Sequence, residues 1–196
     1  VVAMINDRIS AIDSLLTDHL NEIMHDPDFQ SLEAAWTGLR DMVFGTETGP
    51  KLKLRLLNVS KKELLKDLET AVDYDMSNLF KKVYEDEYGT FGGSPYSMLL
   101  SDFYFSRHPQ DVSLLERISK VAAAAHAPFV AAADPALFDM RAFTELGTPR
   151  DMSKIFESAE LIAWKAFRDS EDSRYVSLVL PRYAARLPYG AKFIPV

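Results

Sequence analysis

Apolar residues recur at helical spacing through the first part of the chain. Ile5, Ile9, Ile12, Leu16 and Ile23 fall at steps of 4, 3, 4 and 7, with His19 on the missing beat. That is a heptad stripe, and it predicts a helix over 4–26. Asp7, Arg8, Asp13, Asp18 and Glu22 occupy the other faces. Pro27 marks the junction to a second helix, where Phe29, Leu32, Trp36, Leu39 and Val43 step by 3, 4, 3 and 4 before Gly45. Residues 1–45 therefore read as a helical pair.

The period then changes. Residues 51–59 alternate polar and apolar, the signature of a half-buried strand. Ser60 and Glu63 have capping-box spacing, with Val59 and Leu64 placed as a hydrophobic staple, and predict a helix to about Val72. A further helix is expected over 76–88, ended by Gly89. Residues 97–106 read as a buried strand. Pro109 opens a helix that Pro128 stops, and 129–133 is a short apolar strand. Asp134-Pro135 opens a helical turn, 151–168 is helical in two pieces, and 169–173 is a polar loop. Residues 175–180 form a strand closed by Pro181, and Leu187-Pro188-Tyr189-Gly190 is a turn. Strands separated by helical connections argue for parallel pairing. The expected fold is α/β: a layered domain of about four mostly parallel strands flanked by helices over 46–196, preceded by the helical pair, the two together making one structural unit.

Composition narrows the function. The 196 residues are 47% hydrophobic and 26% charged, as in an ordinary globular domain, with a net charge of −7. No basic stripe is present, so nucleic acid and anionic membranes are not expected partners. There is no cysteine, which removes disulfides, thiol catalysis and thiolate metal sites. The longest apolar stretch, 121–133, is broken by His126 and Pro128 and is too short to span a bilayer. Residues 1–21 lack the order of a signal peptide. The terminal Val1-Val2 and Ile194-Pro195-Val196 read as cut ends, so the chain is expected to be a fragment.

Candidate chemistry is sparse. The glycine-rich loop Gly89 to Pro95 carries no Gly-Lys-Ser/Thr and leads into a strand, so it lacks the context of a phosphate-binding loop. A small α/β enzyme or phosphate-ligand binder built on that loop is the alternative reading. The histidines His19, His25, His108 and His126 have no metal-ligand spacing. The acids Glu85-Asp86-Glu87 and Asp169 to Asp172 sit in polar surroundings that suit solvated surface better than acid–base work. No Gly-x-Ser-x-Gly elbow occurs. No catalytic, cofactor-binding or metal residue is assigned, and no cofactor is expected. The heptad residues Ile5, Ile9, Ile12, Leu16 and Ile23 are candidates either for packing within the domain or for a helix partner.

A collinear set of motifs carries a family resemblance. It begins with His25-Asp26-Pro27-Asp28-Phe29-Gln30, Leu32-Glu33-Ala34 and Trp36-x-Gly38-Leu39, then Leu57-Asn58-Val59-Ser60-Lys61-Lys62-Glu63-Leu64. Phe80-Lys81-Lys82-Val83-Tyr84, Glu87-Tyr88-Gly89-Thr90-Phe91-Gly92-Gly93 and Arg107-His108-Pro109-Gln110-Asp111 follow. Ala122 to Phe129, Lys154-Ile155-Phe156-Glu157-Ser158, Phe167 to Val176, Leu180-Pro181-Arg182 and Leu187 to Gly190 complete it. Taken in this order, the set resembles the large subunit of the contractile sheath of the bacterial type VI secretion system, the TssC/VipB/EvpB family. The resemblance implies a non-enzymatic subunit in the cytoplasm of a Gram-negative cell. It implies assembly with a small sheath subunit (TssB/VipA type) and other sheath subunits around an inner tube, contraction that drives the tube outward for effector delivery, and recycling by an AAA+ unfoldase. Contacts with the tube and the unfoldase are expected through regions outside this chain. On this reading Arg168, Asp169, Glu171, Asp172 and Arg174 form a charged loop that pairs locally or across subunits, and the Gly-Gly loop is a structural or subunit-contact loop.

Overall fold

A computed structural model describes residues 1–148, 151–184, 186, 187 and 189. The chain divides into two compact units, one of Val1–Leu56 with Tyr183–Val196 and one of Leu57–Arg182.

The first unit is built on helices α1 (Val2–Met24) and α2 (Pro27–Phe44). The junction follows the local chemistry. The Asp26 carboxylate accepts the backbone N–H groups of Asp28 at 2.9 Å and Phe29 at 3.2 Å, and Pro27 takes the first turn, where no donor is needed. Gly45 ends α2. Neither helix buries a single residue. Residues 51–59 are not a strand among the described residues, which show only an isolated antiparallel bridge between Gly49 and Leu52. Alternation decides which side chains share a face but supplies no neighbouring strand to pair with. Leu54, Leu56 and Leu57 stay exposed.

The second unit opens with α3 (Lys61–Thr70), started by the full Ser60–Glu63 capping box. A 3-10 turn Tyr74–Met76 and a short α4 (Asn78–Phe80) lead into a π-helical stretch Lys81–Glu85. Asp67 on α3 fixes this junction by accepting the backbone N–H groups of Asn78 at 3.1 Å and Leu79 at 3.0 Å. Strand β1 (Leu99–Phe105), helix α5 (Pro109–Ala124) and strand β2 (Phe129–Ala133) form the first crossover. The second runs through α6 (Met152–Ile155) and α7 (Ile162–Asp169) to β3 (Val176–Val179). The sheet order is β1-β2-β3 and both pairs are parallel, as the pattern of crossovers requires. The sheet thus has three strands among the described residues, where about four were expected; residues 51–59 account for the difference. The turn expected at Leu187 to Gly190 includes positions 188 and 190, which lie outside the described residues.

Alternation along the strands sets the core. Phe105, Phe129, Ala131 and Ala133 are buried on one face, where α5 supplies Val112, Leu115, Ile118 and Val121. Because β2 is Phe-Val-Ala-Ala-Ala, its short side chains let the helix layer approach closely. Helices α5 and α7 pack against each other, so both crossovers cover the same face. On the opposite face Leu100, Tyr104 and Val179 are exposed.

Candidate subunit interface

The heptad stripe of α1 is open to solvent. Ile5, Ile9, Ile12, Leu16 and Ile23 are each at least half exposed. A helix normally buries such a stripe, because the burial is what holds it in place. At the junction of α1 and α2 the first unit has an open groove of about 530 Å³ lined by His19, Glu22, Ile23, Asp26 and Phe29.

A second element of the same unit ties sequence-distant residues together. Glu33 on α2 receives both arms of the Arg186 guanidinium, with Arg186 Nε donating to Oε1 at 2.7 Å and Nη2 donating to Oε2. The Tyr189 hydroxyl donates to Glu33 Oε1 at 3.1 Å, and the guanidinium carbon lies 3.6 Å from the centre of the Tyr189 ring. The hydrogen bond from Arg186 holds the Glu33 carboxyl below its usual range. Desolvation and the bond to Glu33 push the Tyr189 phenol up. In the sequence, Glu33 and Tyr189 stand only within the motifs Leu32-Glu33-Ala34 and Leu187-Pro188-Tyr189-Gly190, and Arg186 within neither.

The glycine-rich loop is a tight, self-satisfied turn. Glu87 Oε2 accepts the Ser94 N–H at 2.9 Å, Thr90 Oγ1 donates to the Glu85 carbonyl at 2.6 Å, and the Gly93 N–H reaches the Thr90 carbonyl at 3.0 Å. The backbone at Gly93 comes so close to Glu87 that a Cβ there would lie 2.1 Å from the Glu87 carbonyl oxygen. Gly92 has φ +82°, which a side chain rarely tolerates. The loop holds Phe91 wholly in solvent. A carboxylate already occupies one of the amides a phosphate would need.

The charged loop after α7 is a 3-10 turn, Glu171–Tyr175. The hydroxyls of Ser170 and Ser173 shape it, donating to the carbonyls of Phe167 at 2.6 Å and Arg168 at 2.9 Å. Within it, Arg174 pairs with Glu171 at 3.1 Å, an exposed i,i+3 pair. Arg168 lies over the Phe156 ring at 5.3 Å instead of pairing with the acids. Asp169 is exposed and Asp172 half-buried. Among the described residues no three histidine, aspartate or glutamate side chains gather as a metal cage, and no helix is long and apolar enough to cross a membrane.

A half-buried ion pair ties together elements of the second unit. Lys61 Nζ meets Asp111 Oδ1 at 2.6 Å and the Tyr104 carbonyl at 2.7 Å, while Asp111 Oδ2 accepts the Ser106 N–H and hydroxyl, each at 2.8 Å. Desolvation raises the Asp111 pKa, but the bonds from Lys61 and Ser106 outweigh it and the net shift is downward. These groups join the start of α3 to β1 and α5. They are consumed by one another and offer no acid or base to a substrate.

Two comparisons bear on these surfaces. Residues 6–196 match the family model described as VipB (EvpB/VC_A0108, tail sheath N-terminal domain). Over 197 aligned residues the chain is 50% identical to the type VI secretion system sheath protein TssC1 of Pseudomonas aeruginosa. That alignment covers 100% of this chain and 40% of the length of TssC1.

Proposed function

The chain belongs to the VipB/EvpB tail-sheath N-terminal domain family, and from that membership we propose that it is part of the large subunit of a contractile secretion sheath. The subunit assembles with a small sheath subunit and with further copies of the heterodimer around an inner tube, in the bacterial cytoplasm. Contraction is then a rigid-body rearrangement of subunits between two packings, which drives the tube outward to deliver effectors. The role is structural, and no residue is given a catalytic part. Contacts with the tube and an AAA+ unfoldase fall to regions of the sheath protein outside this stretch.

The observation that carries this reading is the match of residues 6–196 to the tail-sheath family; helix α1, 23 residues long with five aligned apolar side chains and none of its residues buried, fits an assembly surface. A patch of that kind marks a protein–protein surface. The candidate contacts are Ile5, Ile9, Ile12, Leu16 and Ile23 on α1, and Arg168, Asp169, Glu171, Asp172 and Arg174 on the charged loop. Exposed ion pairs contribute only about 0–1 kcal/mol each, but a helical lattice repeats every one of them.

The test is co-expression of the sheath polypeptide with its neighbouring small subunit, followed by negative-stain microscopy. Tubules of uniform diameter are expected. A large subunit that stays monomeric beside its partner would sink the proposal.

A further inference from the structure

Both crossovers of the second unit cover one face of its sheet, and the other face carries an apolar surface of its own. The strand register lines this surface up in two rows. Leu100, Val130 and Ser177 stand side by side across the three strands, and so do Tyr104, Ala132 and Val179. All but Ser177 are apolar or aromatic. Between the rows β1 bulges from β2, and Asp102 is exposed there. Arg182 reaches over the Tyr104 ring at 4.7 Å. Leu100 is nevertheless 56% exposed and Val179 55%.

Two observations mark this face as one that is built to be covered. A parallel sheet is normally buried on both sides, because its crossovers place helices there. Here α5 and α7 pack against each other, so one side receives both crossovers. The central strand also has the composition of a strand buried on both sides. β2 is Phe-Val-Ala-Ala-Ala, apolar at every position, whereas a strand with one face in water alternates with polar residues.

We propose that this face is covered by a further region of the same sheath polypeptide, outside the aligned stretch, which lays an apolar layer across Leu100, Tyr104 and Val179. The inference rests on the sheath reading and deepens it by giving this domain a fixed partner in its own chain. Length argues for this occupant. The aligned stretch is 40% of TssC1, so the larger part of that protein lies outside it, and the matching family model is an N-terminal domain. Timing argues for it too. A neighbouring subunit reaches this face only on assembly, whereas the unassembled polypeptide must already keep an apolar sheet face out of water or aggregate. Contraction points the same way. Subunits that shift as rigid bodies exchange contacts with their neighbours, and a cover from the same chain moves with the sheet.

The test is thiol labelling of the full-length, unassembled large subunit carrying Val179→Cys or, separately, Leu100→Cys. Labelling at position 179 or 100 is read by peptide mass spectrometry and compared with the same variant unfolded in urea. Folding should slow the reaction by ~10-fold or more, since a covered thiol reacts only through local opening. Hydroxyl-radical oxidation of Leu100 and Tyr104 in the unsubstituted subunit reads the same face without any substitution, and folding should slow it by a similar factor. A smaller slowing in the unassembled subunit overturns the proposal. It does so even if sheath assembly then protects the face, because the cover would come from a neighbour. A parent that forms no tubules with its small partner would sink the sheath reading while leaving these labelling rates as measured, so the two failures are told apart.

Discussion

Glu33 and Arg186 stand 153 positions apart in sequence and meet as a two-armed ion pair, with the Tyr189 hydroxyl on the same carboxylate. The pair fastens the return segment around Arg186 and Tyr189 to helix α2 within one unit. Its failure should be local. In Glu33→Gln and Arg186→Met, amide exchange at Leu187 and Tyr189 should quicken, with that of the α5 core unchanged. The double variant should be no faster than either single one, because each change removes the same contact. Exchange rates that add would show the two residues act separately.

Acid should unfold the second unit through its bonded carboxylates. Asp111 and Asp67 both have lowered pKa values: desolvation pushes each upward, and hydrogen bonds to Lys61 and Ser106, or to Leu79 and Asn78, overcome it. A depressed carboxyl adds stability above its unfolded value, and that contribution is lost as the pH falls through its folded value. Asp102, whose pKa burial raises, works the other way and loses stability as the pH climbs through its raised value. Glu63, lowered by its capping bonds with Ser60, joins Asp111 and Asp67, and three groups against one predict a melting temperature that declines below about pH 5. Asp111→Asn should flatten that decline. Lys61→Met, which leaves Asp111 without its cation, should cost about 1–3 kcal/mol at neutral pH. A pH profile unchanged by Asp111→Asn would exclude this origin.

Core and stripe substitutions should separate folding from assembly. Leu68 and Leu115 are wholly buried, so Leu68→Ala or Leu115→Ala should each cost about 2–5 kcal/mol. Thermal or urea unfolding reads this directly. Ile9→Ala with Ile12→Ala on α1 should change stability by less than about 0.5 kcal/mol per site, since both side chains are already half in water. The same pair should nonetheless reduce tubule formation. Loss of stability on the scale of the core variants would mean that the stripe serves the unit's own packing.

What could be read from the sequence divides along the range of the interactions involved. The Ser60–Glu63 capping box, the Asp26-Pro27 helix start and the strand at 129–133 were all legible, because each depends on residues within a few positions of one another. The parallel sheet followed from the lengths of its connections. Residues 51–59 carried a strand pattern, but pairing is a property of a neighbour, and the alternation contains none. The expected helix over 76–88 is split into a 3-residue α-helix and a π-helical stretch, set by the bond the Leu79 N–H donates to Asp67, which periodicity does not register. The Glu33–Arg186 pair was illegible for the same reason: folding brings the two residues together across 153 positions, and the motif that holds Glu33 does not point to Arg186. The charged loop was visible as charge, yet its shape comes from the serine hydroxyls that fold it back on α7.

The glycine-rich loop separates rigidity from contact in adjacent residues. At Gly93 a Cβ would sit 2.1 Å from the Glu87 carbonyl oxygen, far inside contact distance, and the obstructing atom is backbone. Gly93→Ala must therefore push the turn away from Glu87 and break the bond from the Ser94 N–H to the Glu87 carboxylate. Strain of this kind costs about 1–3 kcal/mol, and it should appear as a lower melting temperature. Phe91, two residues before, touches nothing that such a change would disturb and lies wholly in solvent. Phe91→Ser should leave the melting temperature unchanged or slightly raise solubility. If the loop is a subunit contact, Phe91→Ser should still lower sheath yield, because an aromatic side chain held out by a rigid turn enters a partner at little entropic cost. Gly93→Ala would lower both. Phe91→Ser with full sheath yield would leave the loop a turn and nothing more, and would move the search for contacts to α1 and the charged loop.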